Sequence, residues 1–417
     1  MKVEVRSKEI VRPSSPTPQS LKNYKLSFMD QLALNVKLPF VFFYDSSVAY
    51  SHDRHTNTID ELKKSLSKTL SLMYPLAGRV KEDKVTIECN DEGVEFIVAD
   101  VDENMCYLLD NPEMEKIKQM IIPTGTVYEP RPVGKALLAV QVNRFSCGGI
   151  AIGFFVSHAI ADGSAVATLF ETWASINRGY DVNGNGFVSD QSTVLFPPLA
   201  DTSAIERSVK MAAEAIRQEE KNMVVKRFVI PAHAIAQLRD ELIGKQQGVP
   251  SAPVSHRGDN GVSLGGRDKR NSSNSNRAVI LHGERAEQDG AAAAAQLSRR
   301  IRDSLRSVND AAARKMYGEE GLLRAAFARG HEMVRNKGSS TTLYTSSLCR
   351  QPYYEVDFGW GKPRLVVNLL KNSTVLFLDT IGGAVEVWMG LPKEVMHTLM
   401  QNRHFLTYVS ASPKPKL

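Results

Sequence analysis

Cysteine is scarce in this chain. Its 417 residues include four, Cys89, Cys106, Cys147 and Cys349, and no two of them stand in the C-x-x-C spacing of a zinc or dithiol site. Scattered thiols of this kind fit free cysteines in a reducing compartment better than a disulfide framework. Long apolar runs are missing as well. No stretch reaches the ~18 consecutive apolar residues of a membrane span, and the opening MKVEVRSKEIVRPSSPTPQ has no apolar centre of a secretory signal. These absences point to a cytoplasmic protein without a membrane partner. Charge of one sign is in small excess. A net charge of +6 favours anionic ligands weakly and does not specify nucleic acid. Much of it lies in 299–337, where Arg299, Arg300, Arg302, Arg306 and Arg314 sit on an expected helix, Ala291 to Lys315. Without interleaved aromatics, that face reads as solvated helix rather than as a nucleic-acid patch. No His, Cys, Asp and Glu grouping has metal-ligand spacing, so no metal is expected.

What is present describes a globular enzyme-sized protein. Apolar residues make up 42% and charged residues 24%, ordinary values for a packed domain. The length exceeds the ~250–300 residues at which one core stops growing, so two domains are expected. Strands are expected at Val3–Val11, Leu38–Tyr44, Leu137–Phe145, Ile150–Val156, Met223–Ile230, Leu365–Leu369, Ser373–Phe377 and Gly383–Met389. The strands ending at Phe145 and beginning at Ile150 should pair through Gly148-Gly149. Val85–Cys89 and Val94–Val98 flank Asn90-Asp91-Glu92-Gly93, a hairpin signal. Helices are expected at Thr58–Tyr74, with Thr58 and Glu61 as a capping box, and at Ala204–Glu219, Ala232–Ile243 and Pro392–Met400. The unpatterned Tyr180–Ser203, rich in Gly, Asn and Pro, reads as a crossover between domains. Between Pro250 and Arg277 the composition is Gly, Ser, Asn and charge, which cannot bury enough surface to order itself.

The stretch with most chemical content is Gly148 to Gly179. A buried strand ends at Ser157-His158-Ala159-Ile160-Ala161-Asp162-Gly163, and a helix then begins with Val166, Leu169, Phe170 and Trp173 on one face. His158 thus has a rigid strand behind it and an opening in front, which suits a general base. The competing reading is an ordinary hydrogen-bonded core histidine, and spacing alone favours it. No Ser or Cys is placed as a nucleophile.

These residues carry a resemblance. His158 to Gly163 matches the HxxxDG motif of the plant BAHD acyltransferases, and Asp357-Phe358-Gly359-Trp360-Gly361 matches their DFGWG motif in full, about 200 residues later in the expected order. Tyr74-Pro75-Leu76-Ala77-Gly78-Arg79 and Val225-Lys226-Arg227-Phe228 also match, and the wording is nearest to the alkaloid-acetylating branch. The resemblance implies an α/β fold of two similar chloramphenicol-acetyltransferase-like domains, with central mixed sheets and a channel between them. On this chain the domains would be 1–179 and 207–417, joined by a crossover at 180–206. It implies transfer of an acyl group, with acetyl-CoA as co-substrate, to a small-molecule alcohol of alkaloid or terpenoid type, by a cytoplasmic monomer. His158 would be the general base, with direct transfer and no acyl-enzyme. Asp162, Gly163, Asp357 and Trp360 would support the site structurally, Asp162 through an arginine. The family's Asn-Leu-Arg and Gly-Asn stretches, expected within 245–290, are not found there; that segment is read as atypical and disordered. The alternative is a relative without catalysis, or a mis-predicted gene product, that at most binds ligand. No motif marks the CoA-contacting residues.

Overall fold

The computed structural model describes residues 1–32, 37–45, 52–110, 112–120, 133–182, 191–199, 220–244, 343–370 and 373–410, with scattered helical positions at 201–218 and 298–306. The atypical segment 245–290 and most of the expected helices Ala204–Glu219 and Ala291–Lys315 lie outside the described residues. In chain order the strands are β1 (Val3–Val11), β2 (Asn23–Lys25), β3 (Lys37–Tyr44), β4 (Arg79–Val80), β5 (Thr86–Glu88), β6 (Val94–Val101) and β7 (Leu138–Phe145). They continue with β8 (Ile150–Ser157), β9 (Met223–Ile230), β10 (Tyr344–Ser347), β11 (Leu365–Asn368), β12 (Thr374–Asp379) and β13 (Val385–Pro392).

Three sheets result. The first is ordered β1-β6-β7-β8-β3-β11, the second β10-β12-β13-β9, and a small third β2-β5-β4. The first is mixed: β6 and β7 run parallel while its other pairs are antiparallel. The second is mixed as well, with β10 parallel to β12. β7 and β8 pair as the glycine-linked runs predict. β8 is buried at every position from Ile150 to Val156, as expected of a strand covered on both faces.

Two helices pack on each other and on the first sheet: α1 (His52–Leu72) and α2 (Gly163–Asn177). α1 buries Ile59, Leu62, Leu66 and Leu70, and α2 buries Val166, Leu169, Phe170 and Trp173, the faces that their 3.6-residue periodicity requires. Burying each such side chain contributes about 1.5–3 kcal/mol. The Trp173 indole also donates to Leu62 O at 3.1 Å and to Ser65 Oγ at 3.0 Å, so the contact is oriented as well as apolar.

The structure corrects the sequence reading in two places. α1 begins at His52, so Thr58 lies inside the helix and does not cap it; nothing in Asp53–Asn57 opposes helix strongly enough to stop it. The Asn90–Gly93 segment joins strands of different sheets and is no hairpin, since β5 pairs with β2 and β4 while β6 pairs with β1 and β7. Its turn residues bond outward instead. Asp91 accepts from Thr17 N at 3.0 Å and Lys22 Nζ at 2.8 Å, and Gly93 N donates to Ala77 O at 3.0 Å. β11 is a strand where one is expected; it follows the DFGWG segment and pairs with β3, so a strand from late in the chain completes the first sheet.

Candidate active site

The turn that holds His158 is fixed from behind. Ser157, the last residue of β8, donates its N–H to Leu137 O at 2.8 Å, and its carbonyl accepts from Ile160 N and Ala161 N, both at 3.1 Å. Ala159 and Ala161 are buried beneath the turn. His158 is half-buried, and its Nδ1 is shut off from solvent.

Asp162 follows as the N-cap of α2. Its backbone is extended and its Oδ1 accepts from Ala165 N at 2.9 Å, satisfying one of the helix's orphan donors. Gly163 is the first helical residue, and a Cβ there would stand 2.3 Å from Leu348 Cδ2. The close approach comes from a segment nearly two hundred residues away. From it Tyr353 donates its hydroxyl to Gly163 O at 2.8 Å, and Gln351 Nε2 donates to Ser164 Oγ at 3.0 Å. The Tyr353 ring is buried against Phe40 and Phe42, with centroids 5.5 and 6.2 Å away. Burial, then the neighbouring Asp162 charge, push this phenol well above its usual range, so it stays a donor.

The opposite end of α2 meets the DFGWG segment. Asp357 Oδ1 accepts from Gly359 N at 2.7 Å and Gly361 N at 2.9 Å. Both glycines have φ near +100° (107° and 99°), where a side chain is strained. Asn177 Nδ2 donates to Phe358 O at 2.7 Å and Arg178 donates to Asp357 O. The buried Phe358 ring meets Trp173 edge-on at 4.9 Å and stacks on Trp360 at 5.4 Å. Asp357 and Trp360 thus lie at the far end of a 15-residue helix, ~22 Å along it from the His158 turn. The chain places His158, Asp162 and Gly163 together, and these two apart from them.

Sequence reading missed a buried ionic centre in the second sheet. Glu386 is fully buried, paired with Arg227 Nε at 3.0 Å, and it accepts from Tyr354 Oη and Trp388 Nε1, each at 2.6 Å. Burial draws the Arg227 pKa down, but the Glu386 charge and hydrogen bond outweigh it and leave the guanidinium more firmly protonated than usual. The Tyr354 hydroxyl also accepts from Val366 N at 3.2 Å, tying the centre to β11. The matched Val225–Phe228 stretch contains Arg227 and was the available signal; Glu386, inside an apolar strand, was the other.

Thiol chemistry has little support here. Burial pushes the Cys89 thiol up to about 12, and it raises Cys349 also, disfavouring the thiolate in both. Arg79 is engaged by Glu92 at 2.9 Å and lines a cavity of about 380 Å³ with Lys81, Asp83 and Glu88, at the third sheet. Among the described residues no three His, Cys, Asp or Glu side chains are grouped to hold a metal, and no helix is long and apolar enough to cross a membrane.

A family model described as the transferase family matches residues 1–255 and 288–406 and leaves 256–287 unmatched. Limonoid 21-O-acetyltransferase of Melia azedarach is 32% identical over 443 residues, which cover 99% of each chain. Salutaridinol 7-O-acetyltransferase of Papaver somniferum is 30% identical, covering 94% of this chain and 95% of its own. The crystal structure of vinorine synthase superposes with a TM-score of 0.73 at 28% identity, covering 99% of both chains.

Proposed function

The chain belongs to the BAHD acyltransferases of the transferase family, and from that premise we propose that it moves an acetyl group from acetyl-CoA to the hydroxyl of a terpenoid or alkaloid alcohol, with His158 as general base. The protein is an acyltransferase with the two-domain, chloramphenicol-acetyltransferase-like arrangement, of a family that uses acyl-CoA. The acetyl group and the acceptor class rest on the relatives, which are named for O-acetylation of a limonoid and of salutaridinol. The reading takes the enzyme as a cytoplasmic monomer with its substrates meeting between the domains.

One observation carries the chemistry. His158 stands half-buried on a turn held from the sheet behind it, with Nδ1 shielded from solvent. In the reading, Nε2 takes the proton of the acceptor hydroxyl as its oxygen attacks the thioester carbonyl. The tetrahedral intermediate collapses with cleavage of the C–S bond, and the CoA thiolate leaves and takes the proton back from the imidazolium. Atoms and charge balance without a covalent enzyme intermediate, in keeping with the raised thiols. Asp162, Gly163, Asp357 and Trp360 act through structure. Asp162 caps the helix that begins at the turn, and Asp357 and Trp360 order the loop at its other end.

The test is turnover of acetyl-CoA with a panel of limonoid and alkaloid alcohols, wild type against His158→Ala. Loss of a positioned base should lower kcat by ~10²–10⁴-fold. A second reading, a ligand-binding relative without catalysis, draws on the unmatched 256–287. It predicts equal background rates from both proteins.

A further inference from the structure

We propose that Tyr353, with Gln351 beside it, is a positioning residue for His158: a hydrogen-bonded brace from the late part of the chain that sets the angle of the HxxxDG turn. The proposal rests on His158 as the base. The turn has two sides. Upstream, Ser157 is locked to the sheet through Leu137 O. Downstream, the chain leaves His158 for the first turn of α2, whose buried Val166 and Ala167 set its place in the core while apolar packing leaves its fine orientation to directional contacts from outside. Tyr353 Oη to Gly163 O at 2.8 Å and Gln351 Nε2 to Ser164 Oγ at 3.0 Å provide those contacts.

The brace itself is rigid. Tyr353 is 1% exposed and lies on Phe40 and Phe42, both in β3, the strand that pairs with β8. Its neighbour Tyr354 is tied to Glu386 and to Val366 N. The turn is thus referred to the first sheet directly through β8 and again through Tyr353. The second sheet enters by way of Glu386. Leu348 fills the space at Gly163 that a Cβ would occupy, so backbone meets side chain there with no slack. A base must stand within hydrogen-bond reach of the hydroxyl it deprotonates, and a displacement of ~1 Å can cost 10²-fold.

Tyr353→Phe removes one oxygen and keeps the buried ring. The readout is CoA thiol released from acetyl-CoA, with an alcohol of the panel and with water alone as acceptor. The expected result is a fall in kcat of ~10- to 100-fold, with KM for acetyl-CoA nearly unchanged and the melting temperature lowered by only the ~1–4 °C that one hydrogen bond is worth. Added to His158→Ala, the same substitution should change the residual rate by less than ~2-fold, because a residue that acts through the base has nothing left to act on. Gln351→Leu and Ser164→Ala break the second bond and should repeat the pattern at ~3- to 10-fold; they serve if Tyr353→Phe fails to fold. Wild-type kcat in Tyr353→Phe, a lowered melting temperature with kcat intact, or equal losses with and without His158 would each overturn the brace while leaving the base in place. A wild-type rate in His158→Ala would remove the base, and the brace with it.

Discussion

The two ends of α2 meet the same stretch of chain, 348–361, by different physical means. At the N-terminal end, where His158 stands, Leu348 packs at Gly163 and the polar contacts are single directional hydrogen bonds from Tyr353 and Gln351. At the C-terminal end the contacts are mostly aromatic area. Phe358 lies against Trp173 and Trp360, and Trp360 meets Tyr44 at 6.0 Å. Directional bonds fix orientation and can be removed one atom at a time; buried rings supply most of the free energy and tolerate small changes of angle. The helix is held in place at one end and aimed at the other. The largest test of this contrast is Phe358→Ala. It should cost ~3–5 kcal/mol of stability through lost burial and a cavity, read by urea denaturation, while kcat of the folded enzyme changes little. A large loss of kcat at unchanged stability would make the two ends equivalent.

Asp162 tests the aimed end on the stability scale. Asp162→Ala leaves Ala165 N without its cap and should cost ~0.5–2 kcal/mol, smaller than Phe358→Ala. Asp162→Asn should recover the part that belongs to capping, since Asn caps about as well as Asp. What it does not recover measures the carboxylate charge, which sits close enough to Tyr353 to help raise its pKa.

How much of this was legible in the sequence follows from how local each signal is. The β8–turn–α2 unit was legible because an apolar run, an Asp before a Gly and a 3.6-residue apolar face all lie within thirty consecutive residues. Pairing of β7 with β8 was legible for the same reason. Asn90–Gly93 misled because turn residues show that a chain bends and not which sheet it bends toward; Thr17 and Lys22, which take Asp91, are about seventy positions away. β11 reads as a strand but carries no sign that its partner is β3. Tyr353 and Gln351 stand in Leu348–Tyr354, which has no periodicity, and their partners are 190 and 187 residues distant. Glu386 hides in the apolar strand β13, where a charge is tolerable only because Arg227 on β9 and two ring donors meet it. In each case the missing information was the partner, and a partner far along the chain leaves no local trace.

The smallest expected effects lie side by side at the end of α2. Asn177 is half-buried; it donates to Phe358 O at 2.7 Å and accepts from Ser65 Oγ at 2.8 Å. Asn177→Ala should cost ~0.5–1.5 kcal/mol, the net worth of an ordinary hydrogen bond with its partners left partly exposed. Arg178 is exposed, bonds the Asp357 carbonyl and lies 5.3 Å from the Tyr180 ring. Water can replace those contacts, so Arg178→Ala should change stability by less than ~0.5 kcal/mol. If this end is held by buried rings, neither substitution should lower kcat, because the stacked Phe358 keeps the loop in place after the polar contacts have gone. A fall in kcat with Arg178→Ala would mean instead that an exposed charge at the far end of the helix reaches the turn at its start, a coupling that ring packing does not provide.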